Sequence, residues 1–205
     1  MSARRGGRRG VRRRAALAAL LLGATALTAC SSSGTADGSG KGFVSGDGTI
    51  TVLPVTQRPD PVALSGKTLE GAALDVTSLR GKVVVLNVWG SWCPPCRKEA
   101  PDLEQAYKDL KGKGVEFVGI NVRQQSQSEA LAYQRKFAIT YPSLADDGGK
   151  SLLALRGAVA ANAIPSTLVL DPQGRIAVRI SGPTTRTTLV DLVEDVVAGR
   201  DPQVA

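Results

Sequence analysis

The chain has 205 residues, of which 42% are apolar and 21% charged, enough for one packed core of ordinary domain size and too apolar for wholesale disorder. Histidine is absent, which excludes His-ligated metals, Ser-His or Cys-His catalytic pairs and His-ligated haem, and three cysteines are too few for a disulfide scaffold. The net charge of +8 is local: residues 1–29 hold seven arginines and no acid, so residues 30–205 carry only +1 and the basic balance points to no nucleic-acid partner.

Residues 15–29, AALAALLLGATALTA, form an apolar stretch behind that arginine cluster. It is short for a membrane-spanning helix, which needs about 20 residues. A positive segment, an apolar segment and small residues before a break read as a secretory signal. Leu27-Thr28-Ala29-Cys30 resembles the bacterial lipobox, which implies that Cys30 becomes the lipidated first residue of the mature protein. An ordinary signal peptide cleaved nearby, with Cys30 a chance thiol, is the competing reading. Arg13-Arg14 also permits a twin-arginine export route. Two acyl chains would anchor the protein stably where one chain is marginal. Residues 31–48 are Ser/Gly-rich and read as a flexible tether. The expected division is a signal peptide at 1–29, lipidated Cys and tether at 30–58, a folded domain at 59–200 and a tail at 201–205. The start of the folded part falls between Thr49 and Pro61.

Within the domain, Val62–Ser65 and Ala73–Thr77 are short extended candidates around a glycine-containing loop, an expected hairpin. Lys82–Trp89, KVVVLNVW, is a β-branched run that reads as a buried central strand. Helical periodicity runs from Cys96 to about Lys111, with Leu103, Ala106, Tyr107 and Leu110 on one face. Pro101 should kink this helix and Gly112 and Gly114 end it. Val115–Val122 is a second strand, so strand, helix and strand form a βαβ unit with parallel strands. Ser128–Phe137 reads as a helix, Tyr141–Ala145 as a short strand and Lys150–Ala158 as a weaker helix. Ser166–Leu170 and Arg175–Ile180 read as strands joined by Asp171-Pro172-Gln173-Gly174, where Pro presets one dihedral and Gly tolerates positive φ. Thr187–Ala198 closes the chain as an amphipathic helix stopped by Gly199. The fold class is α/β: a mixed central sheet flanked by helices, with an N-terminal hairpin extension and an inserted helix after the βαβ unit.

Trp92-Cys93-Pro94-Pro95-Cys96 at the end of a buried strand, opening a helix, with Ile164-Pro165-Ser166-Thr167 before a later strand, resembles the thioredoxin fold. The closer resemblance is to the TlpA/ResA-like family of exported, membrane-attached thiol-disulfide oxidoreductases. It is carried by RGKVVVLNVWGSWCPPCRKEAPDLE at Arg80–Glu104, IPSTLVLDPQGRI at Ile164–Ile176, and Gly182-Pro183 after the last strand, and it covers roughly residues 59–200.

Thiol exchange needs a thiolate, which an ordinary cysteine supplies sparingly at neutral pH. At a helix amino end, unpaired N–H groups and the positive end of the macrodipole favour it. Cys93 is thus expected to be the exposed attacking thiol. Cys96, one turn along, is expected to be the more buried thiol that resolves the mixed disulfide. A structural staple is the first alternative, but a loop this short contributes only about 2 kcal/mol. A zinc half-site is the second, and it lacks ligands, so no metal and no cofactor beyond a redox-active Cys93–Cys96 disulfide is expected. The resemblance implies that the Ile164–Pro165 bond is cis, faces this disulfide and leaves the Ile164 backbone free for a substrate strand; an ordinary loop proline is the bland reading. It also implies that Glu99 lies near the thiols and tunes their ionisation, against the reading of a solvent-facing helix acid. Asn87 stands where thioredoxins proper carry a buried Asp, which makes Glu99 the best remaining proton acceptor. Trp92 is expected beside the disulfide, limiting access, whereas Trp89 reads as core. Pro94 and Pro95 stiffen the turn and remove both intervening N–H donors.

The function the resemblance implies is a lipid-anchored disulfide reductase on the outer face of the bacterial cytoplasmic membrane. It would take electrons from a membrane thiol transporter and pass them to exported proteins, apocytochromes c among them. An oxidase or isomerase of exported proteins is the first alternative, separated by reduction potential. A metal-delivery lipoprotein is the second, weakened by the absence of His. A peroxidase reading lacks the Pro-x-x-x-Thr-x-x-Cys pattern of peroxiredoxins.

Overall fold

The computed structural model describes residues 41–43, 49–160 and 162–203. The expected signal peptide at 1–29, Cys30 and the Ser/Gly-rich stretch up to residue 40 lie outside the described residues. Among those described, no helix is long and apolar enough to cross a membrane.

Among the described residues, nine strands and four α-helices follow in chain order: β1 Lys41–Phe43, β2 Thr49–Val52, β3 Ser65–Lys67, β4 Ala73–Asp75, β5 Val83–Trp89, α1 Pro94–Leu110, β6 Val115–Asn121, α2 Gln127–Lys136, β7 Ser143–Ala145, α3 Lys150–Ala154, β8 Ser166–Leu170, β9 Ile176–Ser181 and α4 Arg186–Val197. Seven strands form one mixed sheet in the order β1-β2-β9-β8-β5-β6-β7, and β3 and β4 pair separately as an antiparallel hairpin. β5, β6 and β7 are parallel, as the βαβ reading requires, and the remaining pairings are antiparallel.

β5 is the axis of the sheet because every one of its residues is buried. Alternation sends its side chains to two cores. Val83 and Val85 pack toward α1 and α4 with Leu103, Leu110, Leu189 and Val193. Val84, Leu86 and Val88 pack on the other face with Val118, Ile120, Leu168 and Leu170. Asn87 shares the parity of Val83 and Val85 and therefore points toward α1. That single register choice brings a polar strand residue to the helix that carries the cysteines.

Several boundaries differ from the sequence expectation, among them the hairpin's first strand, which is Ser65–Lys67 rather than Val62–Ser65. The sheet reaches ahead of residue 59, because Ile50 and Val52 pair with Ile180 and Val178 and are buried. α1 begins at Pro94 rather than Cys96, since Pro at the first two helical positions loses only N–H groups that have no intrahelical acceptor. The helix runs unbroken through Pro101 to Leu110. α3 stops at Ala154, short of Ala158, where the chain turns and Gly157 takes a φ of 88°.

At the β8–β9 turn the expected chemistry is present: Gly174 has φ 77°, its N–H donates to Asp171 O at 2.6 Å, and Asp171 Oδ1 accepts from Arg175 N at 2.8 Å. Gly119 in β6 serves a different need. A Cβ there would lie 2.2 Å from Ser143 Oγ and 2.7 Å from Trp89 Nε1. Gly119→Ala should therefore lose about 1–3 kcal/mol of stability by overpacking, checked as a lowered urea midpoint with the m-value unchanged.

Candidate active site

β5 delivers the chain to Gly90-Ser91-Trp92-Cys93, and three groups hold this loop. Gln124 accepts from Ser91 N at 3.3 Å and donates to Ser91 Oγ at 2.8 Å, while Arg97 Nη1 donates to Ser91 O at 3.1 Å. Cys93 is the N-cap of α1, with extended backbone angles (φ −89°, ψ 110°), and Cys96 N–H donates to its sulfur at 3.2 Å. Pro94 and Pro95 bring no N–H to that sulfur, so Cys96 supplies the capping donor alone.

Cys93 and Cys96 form a disulfide with Cα atoms 5.3 Å apart. Cys96 is fully buried, as expected of the inner thiol. Cys93 is not exposed, however: only 2% of its surface is accessible. It is roofed from the far side of the fold, where the Ile164 carbonyl oxygen lies 3.7 Å from Cys93 Sγ. The Ile164–Pro165 bond is cis, and Gly182 N–H donates to Pro165 O at 2.9 Å. The turn after β9 thereby holds the cis-proline segment in place.

Trp92 is more open to solvent than a residue packed on the disulfide need be. It is 47% exposed, its ring lies where a Cβ on Gly90 would sit, and the Arg123 guanidinium stands 5.0 Å above it. Pro94 is exposed and Pro95 half-buried. Trp89 is buried in one apolar cluster with Cys93, Cys96, Leu69, Ala100 and Tyr133.

Glu99 is no surface acid. It is 2% exposed, with Oε1 accepting from Asn87 Nδ2 at 3.0 Å and Oε2 from Thr184 N at 3.0 Å. Asn87 Nδ2 also donates to Thr167 Oγ1 at 3.1 Å. Burial pushes the Glu99 carboxyl up from 4.5 to about 8, against the lowering effect of its two hydrogen bonds. At neutral pH this group is mostly a protonated acid, one helical turn from Cys96. It is thus equipped to give a proton to a departing thiolate and to take one back.

Sequence reasoning missed Tyr133. Its ring stacks on Trp89 at 4.3 Å and its hydroxyl donates to Cys96 O at 2.8 Å. Burial raises its ionisation well above the usual phenol range, so it stays a donor. The spacing Ala130, Tyr133, Phe137 marks one face of α2, but nothing in that spacing says which backbone group the hydroxyl meets. Gln124 and Thr184 left no sequence signal at all. Cys30 lies outside the described residues.

Two cysteines closed at a helix start beneath a cis-proline, with a buried acid on the next turn, can exchange disulfides with another chain. Comparison with known proteins agrees. Residues 58–179 match the AhpC/TSA family. The chain is 30% identical over 129 residues to the thiol-disulfide oxidoreductase ResA of Bacillus subtilis (strain 168), covering 63% of this chain and 69% of that protein. Among solved structures, it is similar to a secreted thiol-disulfide isomerase from Corynebacterium glutamicum (TM-score 0.69, 30% identity, 73% of this chain and 92% of that one). It is also similar to a DsbF homologue from Corynebacterium diphtheriae (TM-score 0.67, 33% identity, 77% of this chain and 99% of that one).

Proposed function

Because the chain belongs to the AhpC/TSA family and is a thiol-disulfide oxidoreductase of the ResA type, we propose that it works as a disulfide reductase of exported proteins. Electrons arrive at Cys93–Cys96 from a membrane thiol transporter and leave to substrate disulfides, those of apocytochromes c among them. Cys30 carries the lipid that holds the domain at the outer face of the cytoplasmic membrane.

The observation that carries the direction is how little stabilises a Cys93 thiolate. A strong oxidant owes its potential to a stabilised reduced form. Here the two residues after Cys93 are prolines without N–H groups, so a single capping N–H, that of Cys96, reaches the sulfur. A thiolate with so few donors is weakly held, which favours giving electrons away. The second reading, an isomerase or oxidase, is favoured by the similarity to a structure described as a secreted thiol-disulfide isomerase.

Equilibration of Cys93–Cys96 in glutathione or dithiothreitol redox buffers separates the two. A reductase should lie closer to about −270 mV than to about −120 mV; a value near the latter overturns the direction. Anchoring has its own check. Palmitate should label the full chain in cells and should fail to label Cys30→Ser, whereas a variant that stays labelled and membrane-bound contradicts the lipid anchor.

A further inference from the structure

We propose that the rim around Cys93 selects substrates with acidic residues beside the reacting cysteine, with Arg97, Arg123 and Lys136 as the specificity-determining cations. This rests on the thiol-disulfide exchange reading and names its substrate class.

The rim is built from two aromatic rings and three cations. The Arg123 guanidinium stands 5.0 Å from the exposed Trp92 ring, next in sequence to Cys93. The Phe137 ring, half-buried against the cluster that holds both cysteines, has the Arg97 guanidinium and the Lys136 ammonium each at 5.8 Å. Arg97 also donates to Ser91 O in the loop before the nucleophile, so the two cation–aromatic groups meet at that loop. All three cations are exposed. None makes an ion pair with a carboxylate among the described residues, whereas Arg58, Arg175, Arg186 and Arg200 do. Glu129 is engaged otherwise, accepting from Gln124 Nε2 at 2.9 Å, and Glu99 is buried.

Arg123 supports a functional rather than incidental placement. Its φ of 49° is in the left-handed region, which a non-glycine residue seldom occupies. Such backbone persists where the surrounding structure holds it, and it tends to mark binding sites. Here it carries the chain from β6 so that the guanidinium lies over Trp92. Cations left without carboxylate partners, on rings that hold them in place, fit carboxylates supplied by another chain. The Ile164 carbonyl lies beside Cys93 Sγ, where it could accept from the backbone of an extended substrate segment.

The test uses reduced protein, freed of dithiothreitol, and three peptides with one intramolecular disulfide. They differ only in two flanking residues, Asp-Asp, Ser-Ser or Lys-Lys. In each reaction the Cys93 thiolate attacks a peptide sulfur and forms a mixed disulfide while the other peptide sulfur leaves as thiolate. Cys96 then closes Cys93–Cys96 and releases the second peptide thiol. Expected is a rate order of Asp-Asp, Ser-Ser, Lys-Lys, with about a tenfold spread between the extremes at low salt that shrinks at high salt. In the double variant Arg123→Gln, Lys136→Glu, the Asp-Asp to Lys-Lys ratio, each rate divided by that for Ser-Ser, should fall toward one or invert. Equal wild-type rates for the acidic and basic peptides, or a faster basic peptide, overturn the inference while exchange with Ser-Ser keeps the underlying reading. No exchange with any of the three overturns that reading itself.

Discussion

Cys93→Ser should lose disulfide reduction almost completely, by about a thousandfold or more, because a serine hydroxyl does not ionise near neutral pH and cannot attack a disulfide sulfur. Cys96→Ser should behave differently. Attack by Cys93 survives, so the first peptide thiol is released in a single turnover, but no second thiolate is present to expel the adduct. Turnover stops at one equivalent. The asymmetry follows from the geometry: Cys93 lies beside the Ile164 carbonyl at the rim, whereas Cys96 is fully buried with its carbonyl held by Tyr133. Coupled insulin reduction measures the first loss, and single-turnover release of thiol measures the second. Equal residual turnover in both variants contradicts separate roles for the two sulfurs.

Glu99→Gln should have the next largest effect, and its sign follows from burial. The folded carboxyl titrates at about 8 and the exposed one at 4.5. Below 4.5 both states hold the proton and the group is neutral in each. As pH rises from 4.5 toward 8 the unfolded chain releases its proton while the folded chain keeps it, so the wild type loses stability across that window. At about 1.4 kcal/mol per pH unit the loss approaches about 5 kcal/mol. Gln escapes it. The variant should therefore gain on the wild type between pH 5 and 8, even though one of the donors Asn87 Nδ2 and Thr184 N then faces an amide NH2. Denaturant unfolding at several pH values reads this directly. Toward and above pH 8, where the Glu99 carboxyl ionises, the same substitution removes a negative charge that opposes thiolate formation, so the apparent thiol pKa should fall. Because two thiols and one carboxyl titrate together, macroscopic values are the proper comparison. Alkylation rate against pH should show the shift, and superimposable curves for wild type and variant would leave Glu99 without a role in thiol ionisation.

The parts of the fold that sequence made legible are those governed by near neighbours. The run Val83–Trp89 is β-branched and apolar throughout, and it forms the fully buried central strand. Asp171-Pro172-Gln173-Gly174 turns as its residues require. The start of α1 was harder to read because Pro94 and Pro95 look like breakers, yet at the first two helical positions they cost no hydrogen bond. The strands at residues 41–43 and 49–52 were hidden, since such short segments acquire a reason to be extended only when β9 offers an edge. In the site, Cys93 and Cys96 stand out by spacing and context. Glu99 was a candidate by spacing alone, but its burial depends on Asn87, twelve residues away, and Thr184, eighty-five residues away. Tyr133 and the Arg123–Trp92 contact depend in the same way on where α2 and the end of β6 come to rest.

The most direct test of Cys93 as the exchanging sulfur is to capture it with a substrate. Reduced Cys96→Ser protein, mixed with the Ser-Ser peptide disulfide and quenched with acid, is digested without reductant and analysed by mass. Expected is one peptide per protein, disulfide-bonded through Cys93, and no adduct in a parallel sample of Cys93→Ser. An adduct on Cys96 in the Cys93→Ser sample, with none on Cys93 in Cys96→Ser, would contradict the assignment of attack to the N-cap thiol.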